Sequence, residues 1–194
     1  VIPDPEGISD ITYILAKDKN HVYYENVFGA MRTLDDADPE TFSFIGNAAA
    51  TVFVKDKNSV YYWSDTNSGD ENQENFVLLD GADPATFSAV SVEGKNISDN
   101  YPYAMDKNHV YYFDSFTGTA SVVFGANPAT FTSALAVTLA KAAALPSSNE
   151  FASDSVRVYL DGKAVADADP RSFTAANDAA AYPYFSDFYV DSSH

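Results

Sequence analysis

The chain has no cysteine, three histidines and one tryptophan in 194 residues. Without cysteine there is no disulfide, no thiolate chemistry and no Cys-based zinc site, so the core alone has to hold the fold. Positive charge is scarce: 11 Lys and Arg stand against 28 Asp and Glu, a formal net charge of −17. That excess of carboxylates repels phosphate backbones and anionic lipid surfaces, so neither nucleic acid nor a membrane surface is an expected partner. Long apolar runs are missing as well. Ala134 to Leu145 is too short to span a bilayer and is interrupted by Lys141, so no membrane insertion is expected. Leu135 to Leu139 alternates like a strand while Lys141 to Ala144 favours helix, and both readings stay open.

Catalytic signatures are also lacking. There is no Gly-x-Ser-x-Gly elbow, no phosphate-binding glycine loop and no His-Glu-x-x-His pair. His21 and His109 occupy one position of a repeated phrase, where other copies carry Ser59 and Arg157. A base whose chemistry needs imidazole does not tolerate such exchange, so no catalytic residue, cofactor or metal is assigned. Acidic residues are so abundant that carboxylate pairs arise without meaning, and sequence alone does not promote one to a glycosidase dyad.

What the chain does have is repetition. Asp-Lys-Asn-x-Val-Tyr-Tyr runs from Asp18 to Tyr24, from Asp56 to Tyr62 and from Asp106 to Tyr112. A companion phrase marks corners at Asp4-Pro5, Asp38-Pro39, Asp83-Pro84, Asn127-Pro128 and Asp169-Pro170. An active site is normally built once, whereas a structural unit can be copied, so the repeats speak of architecture first. Phasing on the corners divides one domain, residues 1–194, into units at 4–37, 38–82, 83–126 and 127–168 with a partial unit at 169–194. The fourth unit is degenerate, with Asp154-Ser-Val-Arg-Val-Tyr159 in place of the full phrase.

Each unit reads as β. Thr51 to Val54 and Val60 to Trp63 are β-branched and aromatic, and Lys55 to Asn58 between them is turn material, which describes a hairpin. Third strands are expected at Met31 to Leu34, Phe76 to Leu79 and Ser121 to Phe124. At the corners, Asp38 and Asp83 can cap a short helical turn opened by proline and closed by Thr-Phe. Phe42, Phe87, Phe131 and Phe173 then serve as core plugs, since a large ring dominates the buried area of a small unit. Ser64 to Asn75, rich in Ser, Asp, Asn and Glu, is expected as a solvated loop. The fold class is thus all-β, with tandem units of about 44 residues in an open array of antiparallel strands in preference to a closed propeller.

The Asp18–Tyr24, Asp56–Tyr62 and Asp106–Tyr112 phrases, with their corner companions, resemble the DKNYY family of bacterial proteins over most of the chain. The resemblance implies a bacterial repeat protein. It brings no established activity that can be carried over residue by residue.

Two binding possibilities arise from the phrase. Asp18 and Asn20, Asp56 and Asn58, and Asp106 and Asn108 have the spacing of paired calcium oxygens, but the glycine bend and distant bidentate Glu of a calcium loop are missing. The competing expectation is that Asp folds onto its own turn and Asn turns left-handed. Adjacent tyrosines must face opposite sides of a strand, so Tyr62 and neighbouring Trp63 are candidates for stacking on a sugar ring. The same alternation is also met if neighbouring units cover both faces.

The C-terminal segment carries the expected assembly site. Tyr182 to Asp187 matches Tyr101 to Asp106, after which the Val-Tyr-Tyr strand is not repeated. Tyr182, Tyr184, Phe185, Phe188, Tyr189 and Val190 would then form an apolar edge strand without Lys, suited to strand addition onto another copy. The expected function is a non-enzymatic extracellular or cell-surface structural protein, a self-assembling filament or surface-layer subunit whose partner is itself. The alternative is a module for cell-surface polysaccharide, with a glycan as partner. The first residue is Val1 with no apolar leader, which fits a mature, processed chain.

Overall fold

A computed structural model describes residues 15–48, 51–64, 75–90, 102–114, 116–133, 151–175 and 189–190. Strands follow the β-branched and aromatic runs, and polar turns cut them. β1 (Leu15–Lys17), β2 (Val22–Glu25) and β3 (Met31–Thr33) form the first sheet. β4 (Ser43–Ala48), β5 (Thr51–Lys55), β6 (Val60–Trp63) and β7 (Phe76–Leu78) form the second. The third is built from β8 (Ser88–Ala89), β9 (Tyr103–Met105), β10 (Val110–Asp114) and β11 (Thr119–Val122). β12 (Phe151–Ser153), β13 (Val158–Leu160) and β14 (Lys163–Ala164) make the fourth, where Thr132 bridges Ser153 in the place of a first strand. Finally, β15 (Thr174–Ala175) pairs with β16 (Tyr189–Val190).

Every pairing is antiparallel and follows chain order within its sheet, so the architecture is all-β. The third strands fall where the apolar runs are, with one shift. β11 begins at Thr119 and ends at Val122, leaving Phe124 in a turn and exposed. β13 and β14 are joined by Asp161-Gly162, both at positive φ, the combination that a two-residue hairpin turn requires.

The corners are hydrogen-bonded turns; no helix is present among the described residues. At the third corner the amides of Thr86 and Phe87 both donate to Asp83 O. The capping carboxylates act as expected, with Glu40 N donating to Asp38 Oδ1 and Ala85 N to Asp83 Oδ1, both at 2.9 Å. A single turn suffices because the next residues enter a strand immediately.

Packing between sheets uses the period-two alternation of each strand. Tyr61 and Trp63 face the first sheet, where Trp63 and Phe76 pack on Tyr24. Val60 and Tyr62 face the third sheet, and Phe53 lies between Phe87 and Phe113 with ring centroids at 5.3 and 4.6 Å. The corner phenylalanines fill these interfaces: Phe42 joins the first core, Phe87 the second and Phe131 the third. Phe173 is half-buried against the fourth, beside Phe151. β4 and β8, the first strands of their sheets, lie against each other, whereas β3, β7, β11 and β14 carry mostly exposed residues at the opposite edges.

Register corrects the alignment of the C-terminal segment. Ser43 stands opposite Lys55, Ser88 opposite Met105, Thr132 opposite Ser153 and Thr174 opposite Val190. In sequence the second member of each pair precedes an Asp: Asp56, Asp106, Asp154 and Asp191. Asp191, not Asp187, is therefore the counterpart of Asp106. His194 then falls three residues after that Asp, as His21 and His109 do.

Candidate functional site

Each repeated Asp builds its hairpin turn with one oxygen, and Asp56, Asp106 and Asp154 build a joint with the other. Asp56 Oδ1 accepts the amides of Asn58 and Ser59 at 2.7 and 2.8 Å, and Asp56 N donates to Ser59 O. Asp106 repeats this with Asn108 and His109, Asp154 with Val156 and Arg157, and Asp18 with Asn20 and His21. The carboxylate thus replaces a main-chain acceptor, which removes the need for a left-handed residue. Among described non-glycine residues only Asp161 and Asp167 have positive φ, so the left-handed conformation expected for Asn20, Asn58 and Asn108 is corrected.

Oδ2 reaches back to the corner that begins the same sheet. Asp38 N donates to Asp56 Oδ2 at 2.7 Å, Asp83 N to Asp106 Oδ2 at 2.8 Å and Asn127 N to Asp154 Oδ2 at 3.1 Å. Beside each bond the next amide of the hairpin donates to the corner threonine: Lys57 N to Thr41 Oγ1, Lys107 N to Thr86 Oγ1 and Ser155 N to Thr130 Oγ1. The Lys of the phrase closes the joint from outside, Lys57 pairing with Asp38 and Lys107 with Asp83. From the preceding sheet, Lys17 Nζ donates to Phe42 O and Lys55 Nζ to Pro84 O.

The first tyrosine of the phrase completes the set. Tyr23 OH donates to Asp18 Oδ2 at 3.0 Å, Tyr111 OH to Asp106 Oδ2 at 2.9 Å and Tyr159 OH to Asp154 Oδ2 at 2.8 Å. Tyr61 OH is buried and makes no such bond. Burial by itself pushes the Asp106 carboxyl up, but the amides of Asp83, Asn108 and His109 together with Tyr111 hold it below the ordinary 3.8. Asp154 is lowered against burial in the same way. Tyr111 and Tyr159 are raised by burial and by bonding a carboxylate, Tyr159 up to about 12.

This arrangement settles where several sequence candidates stand. Both oxygens of Asp18, Asp56 and Asp106 already accept protein donors, as the turn reading expects. Chelation by EDTA is expected to leave the thermal midpoint unchanged; a rise of many degrees on adding calcium would show binding to the native state instead. Tyr62 and Trp63 are buried between sheets, which corrects their expected role as exposed stacking rings. Both faces of β6 are covered, so its alternation leaves neither side to solvent. Tyr189 and Val190 pair with Ala175 and Thr174, so that part of the tail has a partner in its own chain. Tyr182, Tyr184, Phe185 and Phe188 lie outside the described residues, as do the Asp4-Pro5 corner and Ala134 to Leu145.

One polar cluster went unread in the sequence. Ser64 and Asn75, expected in the solvated loop, are buried. Ser64 N donates to Asn75 O at 2.7 Å, and Asn75 Nδ2 returns a bond to Ser64 O. Ser64 Oγ donates to Gly118 O in the third sheet and Asn75 Oδ1 accepts from Val27 N in the first, so this pair links three sheets. Its partners are far away in sequence, and only the positions of two small polar residues at strand ends could have signalled it.

Residues 4–65 match the model of the DKNYY family, a span that contains the first two copies of the phrase and the joint at Asp38 and Asp56. Over that stretch the chain is similar to the DKNYY family. The third copy, Asp106 to Tyr112, lies beyond the matched span and repeats the backbone bonds of the joint at Asp56, to which Tyr111 OH adds one that Tyr61 OH does not make. No curated protein and no solved structure matches the chain. Among the described residues no helix is long and apolar enough to cross a membrane, and no three His, Asp or Glu side chains group as metal ligands.

Proposed function

We propose that the chain is a non-enzymatic structural protein of the bacterial exterior, a self-assembling filament or surface-layer subunit built as an open array of units of about 44 residues. The observation that carries this reading is the joint. The Asp, Lys and first Tyr of the phrase, the residues with chemistry to offer, bond to their own turn and corner in the third sheet. Repetition of such a phrase extends a scaffold. It does not multiply an active site.

The assembly contact is placed on sheet edges, beginning with β16. In the first four sheets the strand before the repeated Asp, namely β1, β5, β9 or β12, is flanked on its far side by the strand that follows the turn. Among the described residues β16, in the equivalent place, has β15 alone. An edge of this kind is a template for strand addition, and a head-to-tail contact that does not close propagates into a fibre. Light scattering and electron microscopy of the full chain and of a variant lacking Tyr182 to His194 test the reading. Particles that grow with concentration, and shrink on deletion, are expected. A full chain that stays monomeric at every concentration, or a deletion variant that assembles to the same size, would overturn it.

A further inference from the structure

Among the described residues each of the first four sheets ends on an edge strand, β3, β7, β11 or β14, and three of these four are guarded. Natural edges are protected by charge or by shortness. β3 carries Arg32, with Asp35 and Asp36 following it. β14 is two residues long and includes Lys163. β7 is uncharged, but Glu74 and Asp80 stand close to its two ends in sequence.

β11 has no charged residue of its own and is not short; the charges nearest it, Asp114 opposite Thr119 and Arg157 on Gly125 O, stand at its two ends and leave Ala120 to Val122 between them. With four residues it is the longest of the group, and from Ser115 to Ala140 the chain carries no charged side chain, although its net charge is −17. Val122 is 51% exposed, and the strand is flanked by Phe116 at 96% and Phe124 at 92%. Val123 N donates inward to Val110 O, so alternation turns the N–H and C=O of Ala120 and Val122 outward.

We infer that β11 is a second self-association site, at which two copies pair antiparallel about a two-fold axis through Ser121. In that register Ala120 of one copy exchanges both backbone bonds with Val122 of the other, and the reverse, while the two Ser121 side chains meet at the axis. Charge selects the occupant. Two acidic copies repel over most of their surfaces, and an uncharged edge against its own copy is the approach that brings fewest carboxylates together. Added salt screens the remaining repulsion, so this association tightens as ionic strength rises. The inference rests on the self-assembly reading but not on the β16 contact, since a two-fold contact joins pairs and a head-to-tail contact joins rows.

The absence of cysteine makes a direct test available. Facing residues of a non-hydrogen-bonded antiparallel pair have Cα atoms about 4.5 Å apart, within disulfide reach. Ser121→Cys in the full chain is expected to give a covalent dimer under mild oxidation, and to do so equally in the variant lacking Tyr182 to His194. Thr33→Cys, on the guarded β3 edge, is expected to cross-link at least about tenfold more slowly, because arginine and carboxylates flank it. Ser121→Lys, at an exposed position, sets two ammonium groups against each other and is expected to raise the concentration needed for dimerisation by about tenfold, as seen by sedimentation. Equal cross-linking rates at Ser121 and Thr33, or a Ser121→Lys chain that dimerises like wild type, would overturn the inference while leaving the β16 contact standing. A full chain that is monomeric throughout would remove both.

Discussion

Asp106→Asn is expected to lower the free energy of unfolding by about 3 kcal/mol, although it changes one atom of the side chain. The Asp106 side chain is fully buried and its oxygens serve four donors: the amides of Asn108 and His109 on Oδ1, and Asp83 N and Tyr111 OH on Oδ2. An asparagine keeps one acceptor oxygen and sets an NH2 group in place of the other. If that group faces Asp83 and Tyr111, two buried donors lose their acceptor; if the amide flips, the turn amides lose theirs. Neither rotamer satisfies the set, and an unsatisfied buried polar group costs about 1 to 3 kcal/mol. Chemical denaturation followed by Trp63 fluorescence measures the loss. Asp18→Asn serves as the control, because Asp18 is exposed and no corner amide reaches it among the described residues. Equal losses at Asp18 and Asp106 would show that the turn, not the joint, carries the energy.

The parts of this fold legible in sequence are those encoded within a few residues. Asp18, Asp56 and Asp106 announce their turns because the amides they bind are two and three positions ahead. The corner phenylalanines could be read for the same reason, each standing at a fixed offset from its proline. What escaped depends on distant partners. The second oxygen of Asp56 binds an amide 18 positions earlier, and nothing in the local phrase distinguishes that oxygen from its twin. β4 and β8 share only their opening serine after Thr-Phe, since Ser43-Phe-Ile-Gly-Asn-Ala48 and Ser88-Ala89 are held by backbone pairing to β5 and β9. Tyr62 and Trp63 mislead for a related reason. Alternation tells which residues point to opposite faces but not whether a second sheet covers each face, and here both are covered. The left-handed asparagines failed because a carboxylate acceptor accomplished the same turn without them.

Stability is expected to hold through the neutral range and to fall on both sides, the alkaline fall beginning near pH 10. Tyr111 and Tyr159 are buried and donate to carboxylates, so their protonated forms belong to the native state and their pKa values are raised above the ordinary 10.0, that of Tyr159 to about 12. For a group whose native pKa is raised, the contribution is complete below the unfolded-chain value and is lost as pH climbs toward the native one. Above pH 10 the unfolded chain gives up its phenolic protons while the native state keeps them, so unfolding gains ground. One such tyrosine accounts for about 2 kcal/mol by pH 12. The carboxylates bound to them behave in the opposite sense. Asp106 and Asp154 are held below 3.8, so their contribution is present above that value and disappears as pH falls beneath it. The two arms therefore come from one joint, in which Tyr must keep its proton and Asp must lack one. Denaturant midpoints from pH 2 to pH 12, with Tyr159→Phe alongside, resolve the arms. The variant is expected to be less stable at neutral pH, because Asp154 loses a donor, yet to lose less than wild type between pH 10 and pH 12. A wild type and a Tyr159→Phe chain whose stabilities fall in parallel across the alkaline range would mean that the Asp154 joint takes no part in it.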